Sequence, residues 1–176
     1  MSERLAMLTP KTCNLEGLGG GEITWDMVAG ALTGLGREVY LYARLKFVLD
    51  DNVKGELQDL VYLNTINAAL RGGWQLSKNE NAETIGRLAN MAVDESTCPP
   101  ACKSCNNSGM INNKGECHVC KGAGEGREAS IKRIQRRLKV TEHRAEHFWR
   151  DKLRGLLSEH IGWEQDIYDA LKNINK

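Results

Sequence analysis

Four of the six cysteines in this 176-residue chain fall into two Cys-x-x-Cys pairs, Cys102 with Cys105 and Cys117 with Cys120. A Cys-x-x-Cys turn aims two sulfurs at one point. Two such turns supply the corners of a tetrahedron, the arrangement Zn²⁺ takes in a closed structural site with no position left for water. The second pair reads Cys117-His118-Val119-Cys120-Lys121-Gly122-Ala123-Gly124, a full C-x-x-C-x-G-x-G. The first reads Cys102-Lys103-Ser104-Cys105-Asn106-Asn107-Ser108-Gly109, with Asn107 where the second has Gly122. Asn is the next-best residue at a positive φ, so the repeat is physically sensible. The spacing predicts one structural zinc on Cys102, Cys105, Cys117 and Cys120.

Other uses of these thiols fit less well. Disulfides need an oxidising compartment. The start Met1-Ser2-Glu3-Arg4-Leu5-Ala6-Met7 has no apolar h-region, and no run approaches the roughly 18 apolar residues of a membrane span. A cytoplasmic chain with no membrane association is expected. A redox pair needs one Cys-x-x-Cys beside a βαβ pattern, which is not seen. Cys13 and Cys98 are left over, and Cys98, four residues before Cys102, competes as a ligand. His118, between two ligands, is expected to face solvent.

The formal charge of +1 hides an uneven distribution. Residues 1–100 hold 9 Lys and Arg against 13 Asp and Glu, whereas residues 127–154 hold 10 against 4. A basic block of this size directly after the cysteines points to a polyanionic partner.

That block divides into two helical patterns. Ile131, Ile134 and Leu138 share one face of a short helix. Lys139-Val140 forms a tight turn, and Thr141 is an N-cap followed by Glu142 at the positive end of a longer helix. Ala145, Phe148, Trp149, Lys152, Leu153, Leu156 and Leu157 line its inner side. On a 100° wheel the outer side carries His143, His147, Arg150 and Arg154, flanked by Arg144 and Asp151. This is the layout of a helix-turn-helix. Lys132, Arg133, Arg136, Arg137 and Lys139 are then the expected phosphate contacts. His143, Arg144, His147 and Arg150 are the expected readers of base edges, with Arg154 on the backbone. The plain alternative is a helical hairpin with a solvated basic face.

The remaining elements are helical too. Residues 1–22, with Pro10 and Gly19-Gly20-Gly21, read as a flexible arm. Thr24 is an N-cap for a helix bearing Trp25, Val28, Leu32 and Leu35. A second helix is expected from Arg37 to Leu49, a third ending before Gly72-Gly73, and a fourth opened by the capping-box form Ser77-Lys78-Asn79-Glu80 and ending before Pro99-Pro100. Gly162 is expected to separate a last helix, starting at Trp163, from the long one. The fold class is mainly α: a helical domain with an inserted four-cysteine zinc-binding loop and a helix-turn-helix. The expected segments are the arm at 1–22, a helical region at 23–97, the zinc loop at 98–126, and the helix-turn-helix with a C-terminal helix at 127–176.

No active site emerges. His143 and His147 are four apart, but His-Glu-x-x-His is absent, as are Gly-x-Ser-x-Gly, a Walker A loop and a dinucleotide fingerprint. No enzyme and no small-molecule substrate are expected.

The order of these parts resembles the late-gene antitermination Q proteins of lambdoid bacteriophages, of the lambda type. The resemblance runs from Ile23-Thr24-Trp25-Asp26-Met27-Val28-Ala29-Gly30-Ala31-Leu32 through Ala89-Asn90-Met91-Ala92. It is sharpest across the two cysteine pairs and the helix-turn-helix after them. The chain departs from the pattern at Asn107, in its short loop between the pairs, and in its N-terminal arm. The resemblance implies a factor that binds double-stranded DNA in a late-promoter region of the phage, in the host bacterial cytoplasm. It further implies contact with the RNA polymerase core and sigma factor, and read-through of later terminators. The competing expectation is a zinc-containing phage scaffold or chaperone-like interaction module without DNA binding. C-x-x-C-x-G-x-G repeats also occur in J-domain co-chaperones, but this chain has two repeats and no His-Pro-Asp.

Overall fold

Short apolar runs with helical spacing, cut by glycines and capping residues, give a mainly helical chain. The computed structural model describes residues 25–98, 104, 105, 108, 110, 111, 115–118 and 129–173. The expected arm at 1–22 lies outside the described residues. The helices are α1 (Trp25–Thr33), α2 (Arg37–Phe47), α3 (Lys54–Arg71), α4 (Ala82–Thr97) and α5 (Ile131–Leu138). Then come α6 (Glu142–Arg144), a π-turn (Ala145–Trp149) and α7 (Arg150–Asn173), which continue one another without a break. A two-stranded antiparallel ribbon, β1 (Met110–Ile111) and β2 (Gly115–Glu116), pairs Met110 with Glu116 and Ile111 with Gly115. None of the described helices is long and apolar enough to cross a membrane.

The chain forms two compact units. One holds the described residues up to Asn64 together with those from Ser158 onward; the other is Thr65–Leu157. This division departs from the expected boundaries at 97/98 and 126/127, because α4 packs on α5.

In the first unit α2 is buried almost all round, with Val39, Leu41, Tyr42, Ala43, Leu45 and Phe47 out of solvent. Tyr42 donates its hydroxyl proton to Glu164 Oε1 at 2.7 Å, and Lys46 Nζ donates to the same oxygen at 2.7 Å. His160 is buried and stacks on Trp163 with ring centroids 4.4 Å apart. Gly162 does not break the helix as expected. An interior glycine costs about 1 kcal/mol against alanine. The buried His160, Trp163 and Ile167 on either side outweigh that.

The second unit is organised around α4, α5 and the start of the long helix. Asn81 caps α4, accepting from the Glu83 and Thr84 amides, while Thr84 Oγ1 accepts from the Asn81 amide. The expected capping residue, Ser77, lies four positions too early. Its reciprocal bonds with Glu80 close a turn instead: Ser77 N–H donates to Glu80 Oε2, and Glu80 N–H to the Ser77 carbonyl. Two helix ends use one device. After α3, Gly73 is left-handed at φ +55°, and the Trp74 amide reaches back to the Ala69 carbonyl. After α5, Lys139 is left-handed at φ +57°, and the Val140 amide reaches back to the Gln135 carbonyl. Both are Schellman closures. The second uses lysine where glycine would be unstrained.

Candidate nucleic-acid interface and metal centre

Among the described residues, the cysteine loop contributes Cys105, Cys117 and the ribbon between them. Cys105 and Cys117 are buried together, with Ile111 packed against them. The Cys105 carbonyl accepts from the Ser108 amide at 2.9 Å and from Ser108 Oγ at 2.6 Å. Cys117 directly follows β2, so the antiparallel register carries it back toward the start of β1. Two buried sulfurs at one end of a short ribbon fit a tetrahedral thiolate site. Cys102 and Cys120 lie outside the described residues, and no group of three or more metal-ligating side chains occurs among the described ones. His118 is exposed, and Cys98 is exposed at the end of α4.

The basic segment is held from behind by α4. Ser130 caps α5, and Ile134 and Leu138 are fully buried. Arg87 donates to the Leu138 carbonyl at 3.3 Å, satisfying one of the orphan carbonyls at the end of α5. Glu95 pairs with Arg133 at 2.7 Å, and Asp94 pairs with Arg137. Burial pushes the Glu95 carboxyl above its ordinary pKa; Arg133 opposes that shift and Asp94 adds to it. Two of the five expected phosphate contacts are therefore engaged with carboxylates of their own chain. The other three, Lys132, Arg136 and Lys139, are exposed and recur at helical spacing along one face.

Thr141 caps the second helix as expected, accepting from the Arg144 amide. His143 and His147 are exposed, with ring centroids 4.6 Å apart. Arg154 is exposed, 3.6 Å from Asp151. Arg144, expected to face a groove, folds back instead. Its Nε donates to Glu80 Oε1 at 3.0 Å, and its Nη2 to Glu80 Oε2 at 2.6 Å and to the Gln75 carbonyl at 2.8 Å. The guanidinium also lies over the Phe148 ring at 4.1 Å. Arg150, also expected outside, is half-buried, and its Nε finds no hydrogen-bond partner among the described residues.

Glu80 is the residue whose role the sequence concealed. It is 7% exposed and receives Arg144, the Ser77 amide and the Trp149 indole N–H, the last at 2.8 Å. Burial raises its pKa, but Arg144, Ser77 and Trp149 outweigh that and hold it at about 2. Trp149 is itself fully buried, and Trp74 packs edge-on against it and Phe148. The only sequence signal for Glu80 was its place in a false capping box. No protein-family model, curated protein or solved structure matches this chain.

Proposed function

We propose that the protein is a phage transcription antitermination factor. In this reading it binds late-promoter DNA through a helix-turn-helix and engages the RNA polymerase core and sigma factor, so that terminators are read through in the host cytoplasm. The resemblance in the order of parts supplies the polymerase step. The observation that carries the DNA step is the corner formed by α5, left-handed Lys139 and the Thr141-capped helix. Lys132, Arg136 and Lys139 lie exposed on its first arm, and His143 and His147 on its second.

In this reading the three exposed cations of α5 neutralise phosphates and set the register on the duplex. His143 and His147 reach base edges from the first turns of the second helix, the part that enters a major groove in such motifs. Arg144 leaves the expected reading set, since the Nε/Nη2 edge that would grip guanine is filled by Glu80. Arg133 and Arg137 leave the phosphate set because each is held at Nη2 by a carboxylate of α4, Glu95 and Asp94. Cys102, Cys105, Cys117 and Cys120 would hold one zinc, which when bound contributes folding energy and no catalysis. The competing reading, a zinc-containing interaction module without DNA binding, draws support from the internal pairing of Arg133, Arg137 and Arg144.

A mobility-shift assay with phage late-promoter duplex against a scrambled duplex separates the two. Preferential retardation of the promoter supports the proposal. Equal or absent binding at low salt, with zinc loaded, sinks it. A second assay, transcription through a terminator downstream of the same promoter, tests the polymerase step.

A further inference from the structure

One carboxylate, Glu80, binds two side chains five residues apart on one helix, Arg144 and Trp149. In an α-helix of about 3.6 residues per turn, positions five apart point about 140° away from each other. In a π-turn, hydrogen-bonded i→i+5 with roughly 4.4 residues per turn, they come within about 50°. The chain has its π-turn at that place, Ala145–Trp149, and the Arg150 amide donates to the Ala145 carbonyl. Arg144 and Trp149 thus bracket the π-turn, and Glu80 grips both ends of it. Glu80 is anchored from its own side by the Ser77 amide.

The π-turn alters the face that the helix shows. In an unbroken α-helix Arg150 would lie within about 60° of His147, on the outward face. Instead Arg150 is half-buried while His143 and His147 are exposed side by side. Beyond the π-turn Leu153 and Leu156 stay buried and Arg154 stays exposed, so the departure is confined to Arg150.

We propose that Glu80 is a positioning residue for DNA reading: its carboxylate holds the π-turn, and the π-turn sets whether Arg150 joins His143 and His147 on the face turned to the bases. The proposal rests on the DNA-binding reading above. Glu80 touches no DNA in it. Its effect passes through Arg144 and Trp149 to Arg150, the residue directly after the π-turn.

The test uses the full zinc-loaded chain and two variants. Glu80→Gln removes the charge, and Trp149→Phe removes only the indole donor while keeping most of the volume. The second variant carries the test if the first does not fold. Scalar coupling across the hydrogen bond of the Arg150 amide reports whether it ends on Ala145 or on Glu146. Enrichment from a randomised duplex library gives the preferred site, and its affinity is then compared with that of a scrambled duplex. The expected result is a shift of the coupling to Glu146, a changed preferred site, and a fall of about ten-fold in the affinity ratio, the size of one good base contact. The salt dependence on scrambled duplex stays as in the parent, which a general loss of structure would not allow. Coupling that stays on Ala145 in the folded variants overturns the proposal. So does a moved coupling with an unchanged site and ratio. A parent that enriches no sequence refutes the DNA-binding reading and the DNA role of Glu80 with it, while the coupling still reports whether the carboxylate holds the π-turn.

Discussion

Five cations around α5 are close enough in sequence to meet one stretch of DNA backbone, but the structure divides them three to two. Arg133 and Arg137 are paired with Glu95 and Asp94, whereas Lys132, Arg136 and Lys139 have no carboxylate partner among the described residues. Each phosphate neutralised contributes about −0.9 to the slope of log K against log salt on B-DNA. Three contacts therefore give a slope of about −2.7, and five would give about −4.5. Between 50 and 200 mM KCl that is a loss of about 40-fold in affinity against about 500-fold. The perturbations are single alanine changes at all five positions. The assay is fluorescence anisotropy with a labelled scrambled duplex over that salt range, so that base reading drops out. Lys132→Ala, Arg136→Ala and Lys139→Ala should each flatten the slope by about 0.9, and Arg133→Ala and Arg137→Ala should leave it near the parent value. Comparing variants removes any constant contribution from cations elsewhere. Equal flattening at all five positions would mean that phosphate displaces Asp94 and Glu95, and the division drawn from the ion pairs would be wrong.

Glu80, Lys139 and the buried cysteines each give a further expected outcome. Glu80 has a folded pKa of about 2 against an ordinary 4.5, so its ionised form stabilises the native state above pH 4.5 and that contribution disappears as pH falls through 2. It amounts to about 3 kcal/mol, and urea titrations across this window should show it in the parent and a flatter profile in Glu80→Gln. Lys139→Gly relieves a left-handed lysine and should raise stability by about 1 kcal/mol in urea melts while costing one phosphate contact; a destabilised variant would show that the turn is not under strain. Protein purified without added zinc should carry one zinc per chain, and Cys105→Ser or Cys117→Ser should release it and loosen the ribbon; full zinc retention in either variant excludes these sulfurs as ligands.

Much of the helical framework was legible because its signals are local. Pro99-Pro100 and Gly72-Gly73 lie just past helix ends, and Thr141 caps the second helix of the corner by its own hydroxyl. The tight turn at Lys139-Val140 was expected, but not that Lys139 would be left-handed, since lysine is a poor occupant of that conformation. Where expectation and structure part, a distant partner decided. Gly162 looked like a break, but the packing of His160 and Trp163 on Tyr42 carries the helix through it. Ser77-Lys78-Asn79-Glu80 looked like a cap, but Glu80 is drawn into a buried bond with Arg144 and Trp149, more than sixty positions away in the chain.

The same partner bears on the two arginines that were expected outside, Arg144 and Arg150. A helical wheel assumes 100° per residue from Thr141 onward, and it sets Arg144 and Arg150 beside His143 and His147. The assumption fails at Ala145, where one carboxylate demands two donors five positions apart. Nothing within the helix announces that demand, since its source is in the segment before α4. A wheel drawn on the sequence can therefore be right about which residues are polar and wrong about which of them face outward. At this corner the difference decides which side chains are left on the surface: His143 and His147 lie exposed, while Arg144 is held inside and Arg150 is half-buried.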